Sequence, residues 1–237
     1  MLAVVDSNIP HSAVEGLRRE GYDILPLPPH PALPLSVASH PDMLLFFGKA
    51  HIYTTPLYAE IAKEEISHIL EITKKELVII QKEIQTEYPD DVLLNAFLLG
   101  DRLICHPTAT ATEIRLNEGA LMLSTRQGYA KCSAVPVGSS ALITADPSIY
   151  RTAIQSDIDV LRLGRQETHL TGYDTGFIGG ATGFAPYGSV NKIYFCGDLC
   201  HHPQHKEIEH FCQLHGYTCV SLAPIPLTDV GTMIILP

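Results

Sequence analysis

The sequence predicts a mixed α/β fold, a pseudo-symmetric propeller of five ββαβ units. It occupies residues 1–237 as one domain, with the ring closed by the N- and C-terminal strands. Three observations predict it. A strand–strand–helix–strand pattern recurs about five times, and recurrence at roughly 20–50 residues marks solenoids and propellers. The pair Gly21-Tyr22 returns as Gly216-Tyr217, each between a helix and its outgoing strand. The last copy is split, because Leu2–Asp6 needs a preceding partner and Thr232–Leu236 supplies one only if the ends meet.

Leu2–Asp6 is an apolar run ending in an acid. Pro10 fits a helix start, Val14 and Leu17 share a helical face, Gly21 stops the helix, and Tyr22–Leu27 is a strand. Pro26–Pro41 is a Pro-rich extended connection. Met43–Gly48 and Ala50–Tyr53 open the second unit. An amphipathic helix from Pro56 to Lys74 carries Ile61, Ile66, Ile69 and Leu70, and Leu77–Gln81 leads out. Val92–Ala96 and Arg102–Cys105 form a hairpin across Gly100-Asp101, followed by a helix over Thr110–Asn117 and a strand at Ala120–Ser124. The fourth unit has strands at Tyr129–Val137 and Ala141–Asp146, a helix over Pro147–Gln155 and a strand at Val160–Leu163. The fifth has His169–Ile178, Lys192–Asp198, a helix over Pro203–His215 and Tyr217–Leu222.

Composition narrows the partners. A net charge of −10 repels duplex nucleic acid, whose binding needs Lys and Arg to neutralise phosphates, and attracts small cations. No run approaches the roughly 20 apolar residues of a membrane span. The start, Met-Leu-Ala-Val-Val-Asp, reads as a strand rather than a signal peptide. Several of the six cysteines sit in apolar runs, which predicts a reduced, cytoplasmic protein. Oligomeric state is left open.

Several clusters carry candidate chemistry. In Gln127-Gly128-Tyr129-Ala130-Lys131-Cys132-Ser133, a cation beside a thiol suits a nucleophile. Strand alternation would instead turn Lys131 toward the ring axis and bury Cys132 under a helix as a small apolar group. The glycines of Gly172–Gly183 are spaced G-x-x-G-G-x-x-G, unlike a dinucleotide fingerprint, and predict close backbone approach beside a pocket that Tyr173 or Asp174 lines. Asp42 and Asp229 precede first strands of adjacent units, so both acids meet near the axis and suit a planar cation. Asp146 and Asp198 are better explained as caps. The stretch Cys196–His215 is rich in Cys and His, but lacks a C-x-x-C pair. Surface His and core Cys explain it better than zinc, and no cofactor or metal is expected.

The segments Gln127–Ser133, Gly172–Gly183 and His40–Met43 resemble those of an uncharacterised bacterial family grouped with the guanidino-group modifying enzymes, the pentein superfamily. The resemblance covers most of the chain and implies a five-bladed α/β propeller. Catalytic relatives use a Cys nucleophile on the final first-type strand, a His base, and acids that grip the guanidinium. Here the closing strand, Val230–Leu236, has no Cys. The expectation is therefore a pentein-like protein with an axial pocket for a small guanidino or amidino cation. Lys131 and Cys132 are the catalytic candidates for C–N hydrolysis or transfer. Asp42, Asn95, Tyr173, Asp174 and Asp229 are the substrate-binding candidates. The alternative is a small-molecule-binding protein without catalysis.

Overall fold

The computed structural model describes residues 1–165, 167–184 and 191–237. Each of five units has an antiparallel strand pair followed by a helix and a parallel third strand. In unit I, β1 (Leu2–Asp6) is followed by α1 (His11–Arg19) and β2 (Asp23–Leu27). Unit II has α2 (Pro41–Leu44), β3 (Phe46–Phe47), β4 (His51–Thr54), α3 (Pro56–Ile61), α4 (Lys63–Thr73) and β5 (Glu76–Ile79). Unit III has β6 (Phe97–Leu99), β7 (Arg102–Cys105), α5 (Thr112–Asn117) and β8 (Leu121–Ser124). Unit IV has β9 (Ala134–Val137), β10 (Ala141–Thr144), α6 (Pro147–Gln155) and β11 (Asp159–Arg162). Unit V has β12 (Thr182–Phe184), β13 (Lys192–Phe195), α7 (His205–Leu214) and β14 (Thr218–Ser221). The remaining strand, β15 (Met233–Leu236), pairs antiparallel with β1, Leu2 opposite Leu236, and parallel with β12. Units V and I therefore share one six-stranded sheet.

Local chemistry explains the elements that match expectation. The Asp146 side chain accepts from the backbone N–H of Ser148 and Ile149, both at 2.8 Å, and Pro147 occupies the first helical position of α6. α1 starts after Pro10 and buries Ala13, Gly16 and Leu17. The middle strands are mainly apolar because they are covered on both faces: Leu2–Val5 and Ala141–Thr144 are buried throughout. Burying one such aliphatic side chain contributes about 1.5–3 kcal/mol. The buried apolar residues among those described form four clusters. These join unit V to I, I to II and III, III to IV, and IV to V.

The first strands differ from expectation. They are two to four residues long, and each follows a compact buried turn. Met43 and Leu44 belong to α2, not to a strand. Val92–Ala96 is a turn, and the hairpin across Gly100-Asp101 begins at Phe97. Tyr129–Ser133 is also a turn, with Ser133 N–H donating to Tyr129 O at 3.0 Å, and the strand starts only at Ala134. His169–Ile178 forms no strand apart from a bridge of His169 to Thr228. The partner of β13 is β12. The long helix over 56–74 breaks at Ala62, whose φ is −103° and ψ 31°. For the turns at 43–44, 92–96 and 130–133 the cause is burial. An apolar run that is fully covered looks like a strand whether it is extended or coiled.

Candidate active site

The buried turns bring polar side chains or a backbone segment from every unit to a common hub. Unit I supplies Asp229 and Thr232, unit II His40 and Asp42, unit III Asn95, and unit IV Lys131 and Cys132. Unit V supplies the backbone of Phe177–Gly180. The side chains of Asp42, Asn95, Lys131, Cys132, Asp229 and Thr232 are all buried.

Asn95 holds the unit IV turn. Its Oδ1 accepts from the N–H of Lys131 at 2.8 Å and of Cys132 at 3.3 Å, and its Nδ2 donates to Cys132 Sγ at 3.0 Å. Cys132 Sγ donates to Asp42 Oδ2 at 3.2 Å. Thr232 Oγ1 donates to the same oxygen at 2.6 Å, and Lys131 Nζ donates to Thr232 Oγ1 at 3.1 Å. Asp229 is fixed by the N–H groups of Phe177 at 2.8 Å and Gly231 at 3.0 Å.

This packing needs unusual backbone. Gly231 has φ +65°, and a Cβ there would lie 2.1 Å from the His40 side chain. A Cβ on Gly180 would lie 1.9 Å from Asp229 Oδ1. Thr232 is β-branched yet has φ +66°. That region costs such a residue on the order of 1–3 kcal/mol, held here by its bonds to Asp42 and Lys131.

The turn at 129–133 corrects the alternation expected there. Lys131 and Cys132 do not face opposite ways across a sheet. Both enter the hub, and Cys132 is a hub thiol rather than a packed apolar group under a helix. Asp42, Asn95, Lys131, Cys132 and Asp229 come together. Tyr173 lies at the mouth of the cavity above them, about half exposed. Asp174 is exposed and outside the cavity lining.

That cavity has a volume of ≈ 350 Å³, with Cys132, His40 and Asp229 at its base. Tyr129 and Phe177 stack at 5.9 Å between ring centroids, and the Tyr88 ring lies 6.2 Å from that of Tyr129. The Tyr129 hydroxyl donates to Asp91 Oδ2, and Asp91 Oδ1 is buried without a hydrogen-bond partner among the described residues. Sequence reasoning missed this wall and Asp91. The two acids of Pro89-Asp90-Asp91 resemble an ordinary solvated turn.

Burial dominates the electrostatics. It pushes the Cys132 thiol well above its ordinary range, and the Asp42 and Asp229 carboxylates push it further. Burial pulls Lys131 below the ordinary lysine value, against the pull of Asp42, Cys132 and Asp229. Burial raises Asp229, with Asp42 adding to the rise and His40 opposing it. For an acid raised in the folded state, the associated stability is complete below the unfolded value and is lost as pH rises through the folded one. Asp229→Asn is therefore expected to gain stability relative to wild type as pH rises above the ordinary aspartate value of about 4. Urea midpoints across that range check this, and a pH-independent difference would overturn it.

The Cys and His residues of 196–215 do not converge. Cys196 and Cys212 lie in different buried clusters, and no group of three or more metal-ligating side chains occurs among the described residues. All six cysteines are free thiols. No described helix is long and apolar enough to cross a membrane.

Comparison with known structures places the fold. DDAH from Pseudomonas aeruginosa, a Cys-to-Ser variant complexed with citrulline, matches with a TM-score of 0.56 and 11% identity, covering 94% of this chain and 91% of that one. A dimethylarginine dimethylaminohydrolase adduct with S-methyl-L-thiocitrulline matches with a TM-score of 0.54 and 10% identity, over 94% and 91%. Agmatine deiminase from C. jejuni gives 0.54 and 8%, over 94% and 87%. These are pentein-fold enzymes, and at such identities the likeness establishes a shared mixed α/β fold. No curated protein matches in sequence. The family match spans residues 4–234, and the chain belongs to the family of unknown function DUF6873.

Proposed function

We propose that the five units form a closed propeller whose axial cavity takes a small guanidino or amidino cation, and that Cys132 attacks its central carbon. The pairing of β15 with β1 and the succession of buried clusters from unit V back to unit I support the closed ring. The observation that carries the chemistry is the thiol of Cys132, bonded to Asp42 and Asn95, at the base of a cavity with aromatic walls and two further acids.

Each part suits a planar cation. Asp229 and Asp91 offer carboxylates, and the faces of Tyr129 and Phe177 favour positive charge. The acids that hold Cys132 as a thiol also explain why a cationic substrate would activate it. A positive charge placed beside the sulfur offsets Asp42 and Asp229 and favours thiolate. Asn95 orients the sulfur. Lys131, a deeply buried amine, is placed to exchange protons at the hub. Three structural neighbours are named for guanidino compounds, which fits the same substrate class.

A second reading has its own support. Without a ligand the Cys132 thiol is strongly disfavoured from ionising, and the closing strand has no Cys, as in a binding protein that does not turn its ligand over. A panel of guanidino and amidino compounds, assayed for released ammonia or amine and for thermal shift, separates the two. Turnover lost in Asp42→Ala and Asp229→Ala supports the hydrolase. Thermal shift without turnover supports binding alone, and no response to any cation would overturn both.

A further inference from the structure

Two cysteines outside the hub meet in unit V. Cys212 stands near the end of α7, on the buried face that it forms with Ile208 and Phe211. Gly216, at φ +80°, turns the chain back, and the Tyr217 N–H donates to Cys212 O at 2.8 Å. β14 therefore returns against the helix that the chain has just left. Strand alternation then selects the side chain. Thr218 is exposed, Cys219 packs on the buried cluster that holds Cys212, and Val220 packs on the cluster shared with unit I. The sulfurs of Cys212 and Cys219 are in hydrogen-bond contact. That contact, ahead of burial, holds the Cys212 thiol far above its ordinary range. The two thiols differ in access: Cys212 is fully buried and Cys219 only partly.

We propose that Cys212 and Cys219 are a redox site, a dithiol that a peroxide converts to a disulfide and a small thiol reductant restores. A reachable thiol with a second thiol in contact is the arrangement in which a sulfenic acid is resolved rather than oxidised further. In the first step the Cys219 sulfur bonds to one oxygen of hydrogen peroxide. The O–O bond breaks, and the thiol proton leaves with the other oxygen as water. In the second, the Cys212 sulfur bonds to the sulfenic sulfur of Cys219. The S–O bond breaks, and the Cys212 proton leaves with the hydroxyl as a second water. Two electrons pass from the sulfurs to the peroxide. Access sets the order: the oxidant reaches Cys219, and Cys212 has only to close on it, to about 2.05 Å. The closed loop runs from α7 through the turn at Gly216 to β14, so the bond staples the helix to the strand beside it. The site shares no residue with the hub and is independent of the chemistry proposed there.

The test treats the full, reduced native chain with a small molar excess of hydrogen peroxide in native buffer. The intact mass is expected to fall by two hydrogen atoms. Peptides produced by cleavage after Tyr217 should stay joined through Cys212 and Cys219 until dithiothreitol separates them. Dimedone, which traps sulfenic acids, should leave Cys219 unlabelled in the wild type and label it in Cys212→Ser, where the resolving thiol is gone. The joined form should melt roughly 5–10 °C above the reduced form, as a disulfide closing a short loop does in a chain of this length. Cys219→Ser should abolish that difference. A dimedone or sulfinic adduct on wild-type Cys219 without the joined peptides, or a linkage that forms only in urea, overturns the proposal. Both are read on the wild-type chain, so they decide it even if the serine variants fail to fold. A linkage that leaves the melting temperature unchanged overturns the staple.

Discussion

Cys132→Ala is expected to lower turnover of guanidino or amidino substrates by about 10³-fold or more, as loss of a covalent nucleophile does. The fold should survive, because the thiol is small and Asn95 keeps its bonds to the backbone N–H groups of Lys131 and Cys132. A second measurement isolates the electrostatics. With the thiol held above its ordinary range by burial and two acids, a neutral haloacetamide should label exposed Cys200 before Cys132. The corresponding haloacetamidinium carries positive charge to the sulfur. Each unit of thiol pKa that it offsets is worth a factor of ten in thiolate at neutral pH. Cys132 should therefore react at least about tenfold faster with the cationic reagent than with its neutral counterpart. Equal rates, read by peptide mass mapping, would mean that the cavity does not recruit cations.

Asp42→Ala is expected to cost about 1–3 kcal/mol of stability, the range for leaving buried hydrogen-bond partners unsatisfied. It removes the shortest bond of the Thr232 hydroxyl, at 2.6 Å, leaving that residue at positive φ held by Gly179 O and Lys131 alone, and it removes the acceptor of the Cys132 thiol. It also leaves Lys131 without the largest of the carboxylate influences that favour its charge. Lys131→Met should be destabilising for the mirror reason, leaving Asp42 and Asp229 as buried acids with less compensation. The double variant is expected to cost less than the two singles added together, by about 0.5–3 kcal/mol, as neighbours in one network do. Chemical denaturation of the four proteins closes the cycle. Strict additivity would show that Asp42 and Lys131 do not act as a pair.

The repeat was legible in the sequence because its middle strands and helices have strong local signatures. Leu2–Asp6 is apolar and ends in an acid, Pro147 and Asp146 mark a helix start, and Gly21 and Gly216 mark two helix ends. Asp42 and Asp229 could be placed near one another from the repeat alone. The turns that build the hub were not legible. Val92-Leu93-Leu94 and Met43-Leu44-Leu45 look extended because every residue is buried, and burial erases the alternation that separates a strand from a coil. An extended Tyr129–Ser133 makes Lys131 and Cys132 face apart, and only the turn brings both inward. Thr232 enters the sequence reading only as the start of the closing strand. Its place in the structure is to grip Asp42, a role that depends on a partner 190 positions away.

The hub has no local address in the chain. Its groups come from turns spread between His40 and Thr232, one set per unit, and no contiguous segment carries even half of them. A fragment missing any unit would therefore lack a site, not merely own a weaker one. Transient opening of a single unit, with the other four still folded, would be enough to switch the chemistry off. In the proposed closed propeller, function would report on the integrity of all five units, so damage far from Cys132 would be felt there first.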